Sequence, residues 1–579
     1  MIVSKLSRTI NYLSKFLDAG FIFRNALVPL LALTLYFFLV SYFLPNGVSK
    51  TFGSESWPLV LGLAVLAGVV AFVLWRLKGW KLNGPADRIS ARDLILLLLP
   101  LTPIVQYVLN NQDILSVRES FYILGIFSLV SSVFIFLVPR LLSVAGSSRT
   151  LMILGMALAF TLASMPALSW QFSWFGAGGL KIQLAIFGVI FLASWVLYDL
   201  NHKKLLYFLI AVYFVSNSVT QVLAPGENRA GVSGVSSKNK LAEVVEGKEP
   251  AVTPNIYLLI YDAYPHNETM KQYGVDNSTQ EKYLEKKGFK LYPKTFSVGG
   301  SSVGTMSRIL NASSEYYGNI RKGVSGDGVV QGLLKNISYE TGGVFTSDYF
   351  FRGIGSRWDF SFPSDVTPSA DLLFEAVLTG EFRFDLEFDK VPHEQFVAEK
   401  LALWRNPDNP RFVYMHTNLP AHSQNSGSCL PNEVELFKER LEEANTEMRG
   451  DIETIVNNDS GAIVIVAGDH GPYLTKNCTL TGDRYDISEI SRLDIQDRFG
   501  TFLAIRWPDS KFEAYDGITV LQDLFPAVFA YLFKDERILD AKIEPKTLEP
   551  ERISGAEVRD GIIYGGINDG EPLFTTSEK

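Results

Sequence analysis

GAIVIVAGDHG, residues 461–471, is the stretch on which the fold of this chain turns. Ala462–Ala467 is an unbroken run of small and β-branched apolar residues, short for a helix and bounded by Gly461 and Gly468, so it reads as a strand buried on both faces. It ends in Asp469 and His470, two groups that bind metal or phosphate. In parallel α/β sheets ligands gather at this carboxyl end of the strands. The same pattern recurs on either side. Asn255–Tyr261 (NIYLLIY) runs into Asp262, and Arg411–Met415 (RFVYM) runs into His416, with His422 six residues further on. Thr501–Trp507 (TFLAIRW) stops at Pro508, and residues 433–457 carry a long amphipathic helical pattern just before the 461–467 strand. Short β-rich runs alternating with longer amphipathic stretches predict an α/β domain over 254–579. Five of the six histidines fall in this half, three of them in these strand-end segments.

The rest of the chain has a different texture. Of 53 Lys+Arg and 61 Asp+Glu in 579 residues, residues 1–225 hold only 16 and 7, a net of +9, whereas 226–579 hold 37 and 54, a net of −17. So sparse a charge in the first part excludes one uniform soluble protein. Hydrophobic residues at 47% exclude a mostly disordered chain, and two cysteines exclude a disulfide framework or a multi-cysteine metal site. The acidic second half argues against nucleic acid as a partner, since phosphate contacts need a basic face.

A membrane-crossing helix needs about 20 mostly apolar residues. Seven segments qualify: 21–45, 57–77, 93–110, 120–143, 150–168, 182–200 and 204–224. The expectation is therefore an N-terminal transmembrane α-helical bundle of about seven spans (1–224), a Gly/Ser/Pro-rich charged linker (225–253) and the α/β domain. The Lys/Arg bias of the short loops puts the N-terminus inside, so the α/β domain lies outside. Within the linker, part of 238–247 also has the pattern of a short surface helix.

A nucleophile is offered by Phe296–Asn311 (FSVGGSSVGTMSRILN). Gly299 and Gly300 allow a tight turn, Ser301 and Ser302 follow, and a short helical pattern runs on through Leu310. A hydroxyl at a helix N-terminus faces free N–H groups and the positive end of the dipole, which suits a phosphate oxygen or an alkoxide. The same residues equally suit a plain helix cap.

A strand ending in Asp262, a hydroxyl opening a helix about forty residues later, and a strand ending in GDHG together resemble the alkaline phosphatase/sulfatase superfamily. Within it, the chain resembles the membrane-anchored branch of phosphoethanolamine transferases and lipoteichoic acid synthases. The resemblance covers about 254–510, with the bundle matching in layout only. It implies a helical bundle followed by an extracytoplasmic α/β domain of alkaline-phosphatase/sulfatase type, in the bacterial inner membrane with the N-terminus cytoplasmic. It implies that Asp262, Asp469 and His470 are metal ligands and that Ser302 is both nucleophile and fourth ligand, with Thr305 as second hydroxyl and alternative nucleophile. His422 becomes the phosphate-facing histidine, acting in its protonated form and assisted by His416, and Arg484 or Arg308 binds an anionic group. One divalent metal is implied, Zn²⁺ first and Mn²⁺ also suited.

The activity implied is transfer of a phospho-alcohol group, phosphoethanolamine or phosphoglycerol, from a phospholipid donor to an envelope glycan or lipid acceptor through a covalent serine intermediate. An extracytoplasmic phosphate- or sulfate-ester hydrolase and an inactive envelope scaffold are the alternatives. The chain departs from the pattern at several points. Ser302–Met306 lacks the Pro and Arg of a formylglycine-type sulfatase site, no further histidine follows GDHG closely, and Asp262 stands where the transferases usually have Glu. In an oxidising exterior Cys429 and Cys478, both on loops at the rim of the site, are expected to form a disulfide. The oligomeric state is left open.

Overall fold

The computed structural model describes residues 90–110, 115, 117–141, 148–171, 179–199, 202–223, 239–351, 354–364, 390–405, 410–423, 430–479 and 485–576. These fall in two compact units, one within Met1–Pro225 and the other within Gly226–Thr367 and Glu387–Lys579.

The first unit is helical but corrects the expectation of about seven spans. Among the described residues two helices, Ala91–Leu109 and Val117–Arg140, are long and apolar enough to cross a membrane. They match the expected spans 93–110 and 120–143; those at 21–45 and 57–77 lie outside the described residues. Helices Ser148–Gln171, Gly179–Asp199 and Lys203–Leu223 occupy the other three places. In the first two of these the apolar run among the described residues is shorter, Thr150–Thr161 and Ile186–Tyr198. Polar side chains join these helices. Asn217 accepts a 2.6 Å hydrogen bond from Gln106 Nε2, and buried Asp93 accepts from Tyr198 Oη at 3.0 Å and also from Tyr207 Oη. Two such helices joined to a separate α/β domain support a membrane-anchored protein.

The second unit is built on a seven-stranded sheet. Its strands in chain order are β1 (Ile256–Tyr261), β2 (Lys290–Leu291), β3 (Glu340–Phe345), β4 (Phe360–Phe362), β5 (Arg411–Thr417), β6 (Ile463–Gly468) and β7 (Leu503–Arg506). Across the sheet the order is β2-β7-β6-β1-β5-β3-β4. β1 pairs in parallel with both β5 and β6, while β7 runs antiparallel to β6. Because β1 is central and covered on both faces, all six of its residues are at most 1% exposed, which is why it reads as a continuous apolar run.

Alternation along the strands feeds two cores. Ile256, Leu258 and Ile260, with Ile463 and Ile465, meet Met306 and Leu310 of helix α1 (Ser302–Asn311) and the apolar Leu524–Leu532. Tyr257, Leu259 and Tyr261, with Val464 and Val466, meet Phe396 and Trp404 of helix α2 (His393–Arg405) and Phe437, Leu441 and Met448 of helix α3 (Glu433–Asn458). Within the segment expected as linker, Lys240–Val245 is a helix capped by Asn239, and its Leu241 and Val245 pack into the first core. The α/β packing thus starts upstream of residue 254.

A polar knot ties the second core together. Fully buried Lys400 bonds Glu447 at 2.5 Å and Asp451 at 2.7 Å, and Asp451 also accepts from Trp404 Nε1 and Tyr261 Oη. Tyr261 immediately precedes Asp262, so α2 and α3 anchor the end of the strand on which the site is built.

Candidate active site and metal centre

The strand ends converge as the parallel pairing requires. Registers Ile260↔His416 and Ile260↔Ala467 bring the carboxyl ends of β1, β5 and β6 side by side. Asp262 leaves β1 with its N–H still bonded to Thr417 O, and Asp469 and His470 leave β6.

Backbone groups then orient the side chains. Asp469 Oδ1 accepts the N–H of Ala263 and of His470, each at 2.9 Å. That turns Oδ2 toward the site, where it is buried without a hydrogen-bond partner, 3.5 Å from His470 Nε2 and 3.7 Å from His416 Nε2. His470 Nδ1 lies 2.8 Å from Gly471 O, which can only accept, so Nδ1 carries the proton and Nε2 presents its lone pair. His470 Nε2 is 3.5 Å from Asp262 Oδ1.

The two glycines of GDHG are dictated by close approach. A Cβ on Gly468 would lie 2.0 Å from Tyr264 O, and one on Gly471 would lie 2.1 Å from Asp497 O.

Ser302 completes the cluster. It is the first residue of α1, follows the extended Ser301, and its hydroxyl lies 3.2 Å from His470 Nε2 and 3.4 Å from Asp262 Oδ1, to which it donates. Thr305 faces elsewhere: it is fully buried and its Oγ1 is 3.0 Å from Ser297 Oγ. His422 sits on a loop strapped to the same segments, by Ala421 N–H to Asp262 O at 3.0 Å and Ser423 Oγ to Tyr473 O at 2.6 Å. Its ring is 5.6 Å from that of His470 and 4.9 Å from that of Tyr473.

These residues fit a divalent cation. Asp262, His416 and Asp469 each offer a ligand atom, all within 4.8 Å of one another, and an orphaned buried carboxylate oxygen is what a cation would satisfy. His416, expected to assist at the substrate, lies within this set of candidate metal ligands. Its Nδ1 pairs with Tyr414 Oη at 2.7 Å, which leaves Nε2 for the site.

Burial sets the protonation states. It drives the pKa of His416 down to about 4 and that of His422 to about 3, and lowers that of His470, so all three rings are neutral at pH 7. For His422, expected to act in its protonated form, burial and the nearby His470 disfavour the cation in the ligand-free site. Burial opposes the charge of Asp469, but His470, His416 and the Ala263 N–H outweigh it and hold the carboxyl below its ordinary range.

A cavity of about 670 Å³ opens onto this cluster, lined by Asp262, Ser302, His416 and His422 and further out by Tyr349, Phe350, Lys390, His393 and Glu443. Arg308 is committed elsewhere, buried and ion-paired to Glu549 at 2.9 Å. Arg484 and Cys429 lie outside the described residues, and Cys478 is disulfide-bonded. Two nearby residues carry no local sequence signal. Tyr473 stacks on His470 at 4.7 Å and 9°, and the Arg498 guanidinium lies 4.0 Å over the Tyr473 ring.

No protein-family model and no curated protein matches the chain. Among solved structures it is similar to the integral membrane lipooligosaccharide phosphoethanolamine transferase A of Neisseria meningitidis, at 14% identity and a TM-score of 0.32, over 89% of this chain and 98% of that one. It is similar to the lipoteichoic acid synthase LtaP of Listeria monocytogenes at 14% identity and a TM-score of 0.33, over 57% and 88%. It is also similar to the zinc complex of the periplasmic domain of EptC from Escherichia coli at 11% identity and a TM-score of 0.31, over 50% and 83%.

Proposed function

We propose that this chain is a metal-dependent, membrane-anchored transferase of the bacterial inner membrane. In this reading Ser302 takes a phospho-alcohol group, phosphoethanolamine or phosphoglycerol, from a phospholipid and passes it to an envelope glycan or lipid on the extracytoplasmic side. The observation that carries it is the position of the Ser302 hydroxyl. It lies 3.2 Å from His470 Nε2 and 3.4 Å from Asp262 Oδ1, at the start of a helix and beside the partnerless Asp469 Oδ2.

Asp262, Asp469, His470 and His416 would hold the metal. Bound there, a divalent cation such as Zn²⁺ or Mn²⁺ supplies Lewis-acid polarisation of a phosphoryl oxygen. The protein does the rest. Ser302 Oγ–H donates to Asp262 Oδ1, and that bond fixes a lone pair for attack on phosphorus. A Ser302 Oγ–P bond forms as Ser302 gives up its hydroxyl proton, and the bond from phosphorus to the diacylglycerol oxygen breaks, that oxygen taking up the proton and leaving as the alcohol. Neutral His422 has an N–H to donate to the transferred group. The acceptor hydroxyl then attacks the same phosphorus and returns Ser302 to its free form. Water in the acceptor's place makes the enzyme a hydrolase, and a cavity of 670 Å³ with Lys390, His393 and Glu443 on its wall is open to either acceptor.

The test is the intact mass of the purified chain after incubation with a bacterial phospholipid extract, beside Ser302→Ala. An adduct on the wild type alone is expected, and its mass names the group. An adduct that persists in Ser302→Ala would refute the assignment. A metal-loaded wild type that forms none while releasing the alcohol would point to hydrolysis.

A further inference from the structure

One face of helix α3 carries a polar stripe. Arg440, Glu443, Glu447 and Asp451 follow at spacings of three, four and four residues, which stacks them one above another. Three of them are committed. Arg440 Nε donates to Pro420 O at 2.6 Å, on the loop that carries His422. Glu447 holds Lys400 at 2.5 Å and His393 Nε2 at 2.8 Å, and Asp451 holds Lys400 at 2.7 Å. The Glu443 side chain has no hydrogen-bond or ion-pair partner among the described residues, and it reaches the cavity that Ser302 lines.

Its place on the stripe fixes its neighbours. At about 1.5 Å of rise per residue, Glu443 stands roughly 4.5 Å along the helix from the residue that anchors the His422 loop and roughly 6 Å from the one that anchors His393. His393 and His422 line the same cavity. His393 Nε2 meets a carboxylate, which can only accept, so Nε2 carries the proton; Nδ1 makes no hydrogen bond among the described residues, and half of the side chain is exposed. Lys390 on the same wall already has a partner. What the wall leaves over is a carboxylate and the lone pair of a neutral imidazole, which take hydrogen bonds and give none. Such a pair repels phosphoryl oxygens and accepts from hydroxyls. Tyr349, Phe350 and Leu419 add apolar lining, and a few placed polar groups on an apolar wall are what orient a small molecule. Water as acceptor needs about 30 Å³ and no such wall.

We infer that Glu443 and His393 form the subsite for the acceptor, a polyol or sugar whose neighbouring hydroxyls donate to the Glu443 carboxylate and to His393 Nδ1 while a further hydroxyl meets the group held at Ser302. This deepens the proposed function and rests on Ser302 as the reacting hydroxyl.

The test uses the full-length chain in a sugar-free detergent, loaded from a bacterial phospholipid extract and then chased with glucose or methanol. Intact mass follows the adduct on Ser302, and the mass of the product names its destination. Methanol brings a hydroxyl to attack but none for the wall to hold. Wild type should therefore discharge its adduct to glucose in preference to methanol, and Glu443→Ala should lower that preference roughly tenfold, the loss of one charge-assisted contact. His393→Gln, which can still donate to Glu447, should lower it by less. Glu443 touches no other side chain, so Glu443→Ala keeps the fold, with thermal unfolding as the check. Variants that keep the wild-type ratio of glucose to methanol product would overturn the inference, as would a wild type that discharges to methanol or water alone. Loading from phospholipid that slows as much as discharge to glucose would give the wall to the donor and overturn it too. In each of these cases the Ser302 reading stands. A wild type that forms no adduct on Ser302 would refute that reading and take the subsite with it.

Discussion

Replacing Gly468 by alanine adds one methyl group at the most crowded backbone approach in the site. The new Cβ would stand 2.0 Å from Tyr264 O, about 1.4 Å short of ordinary van der Waals contact. Neither side yields easily. Tyr264 O accepts the N–H of Phe502, and Gly468 N–H is itself bonded to Phe502 O. Relief must come from moving the Asp262–Tyr264 segment away from β6, which separates Asp262 from Asp469 and His470. Overpacking of this kind costs about 1–3 kcal/mol, and against two hydrogen-bonded backbone segments the upper end is expected. A shift of the ligand set should also lower metal affinity about 10–100-fold, the usual penalty for disturbing groups that orient ligands. The assay is denaturant unfolding of the full-length chain with metal content measured on the same preparation. The control is Gly450→Ala, in the middle of α3 with nothing within 4 Å of its Cβ, which should stabilise by about 0.5–1 kcal/mol. A Gly468→Ala protein that unfolds with wild-type stability and carries wild-type metal would refute the argument.

Three further outcomes are expected. His266 accepts the Glu268 N–H on Nδ1 and pairs with Pro293 O through Nε2, so protonation must break its helix cap, and burial lowers its pKa from 6.5 to about 4. The unfolded chain then binds the extra proton between those values, so about 3 kcal/mol present above pH 6.5 is lost as pH falls toward 4; a stability difference between wild type and His266→Gln that stays flat from pH 4.5 to 7 would contradict this. Asp451→Ala leaves Lys400 with Glu447 alone and orphans Trp404 Nε1 and Tyr261 Oη, and should cost about 3–5 kcal/mol in denaturant unfolding; a loss below 1 kcal/mol would show that the knot is not what anchors β1. Thr305→Val removes only the contact with Ser297, so the mass adduct sought on Ser302 should still form, and its disappearance would return Thr305 to candidacy as nucleophile.

What the chain discloses before folding follows from how local each signal is. β1, β5 and β6 are legible because a strand buried on both faces must be apolar at every position, and Asp262, Asp469 and His470 are legible because they end such strands. That His416 comes within reach of Asp262 and Asp469 is not legible locally, because it depends on β5 lying directly beside β1, a matter of sheet order. Arg308 looked free to bind anions because its partner, Glu549, is 241 residues away. The helical unit shows the opposite error. Apolar composition counted seven spans, whereas among the described residues two helices are long and apolar enough to cross a membrane, and composition alone cannot see the polar contacts of Asn217 with Gln106 or of Asp93 with Tyr198 and Tyr207.

The chemistry of the site can be argued from which polar atoms the fold leaves over. Thr305 Oγ1 is engaged by Ser297, Asp469 Oδ1 by two backbone N–H groups, His470 Nδ1 by Gly471 O, and His416 Nδ1 by Tyr414. Once those bonds are made, Asp469 Oδ2, the Nε2 atoms of His470 and His416, and the Ser302 hydroxyl remain, all facing one another. Arg498 Nε remains as well, one stacked ring away. Folding tolerates few buried polar groups without partners, and here Asp469 Oδ2 is one, in the same cluster as the Ser302 hydroxyl at the ends of three adjacent strands. The types gathered there, carboxylate and imidazole atoms within 4.8 Å of one another, suit a cation. A cation would satisfy the carboxylate and imidazole atoms together, which is why the site supports a metal-dependent hydrolase or transferase role rather than a structural one alone.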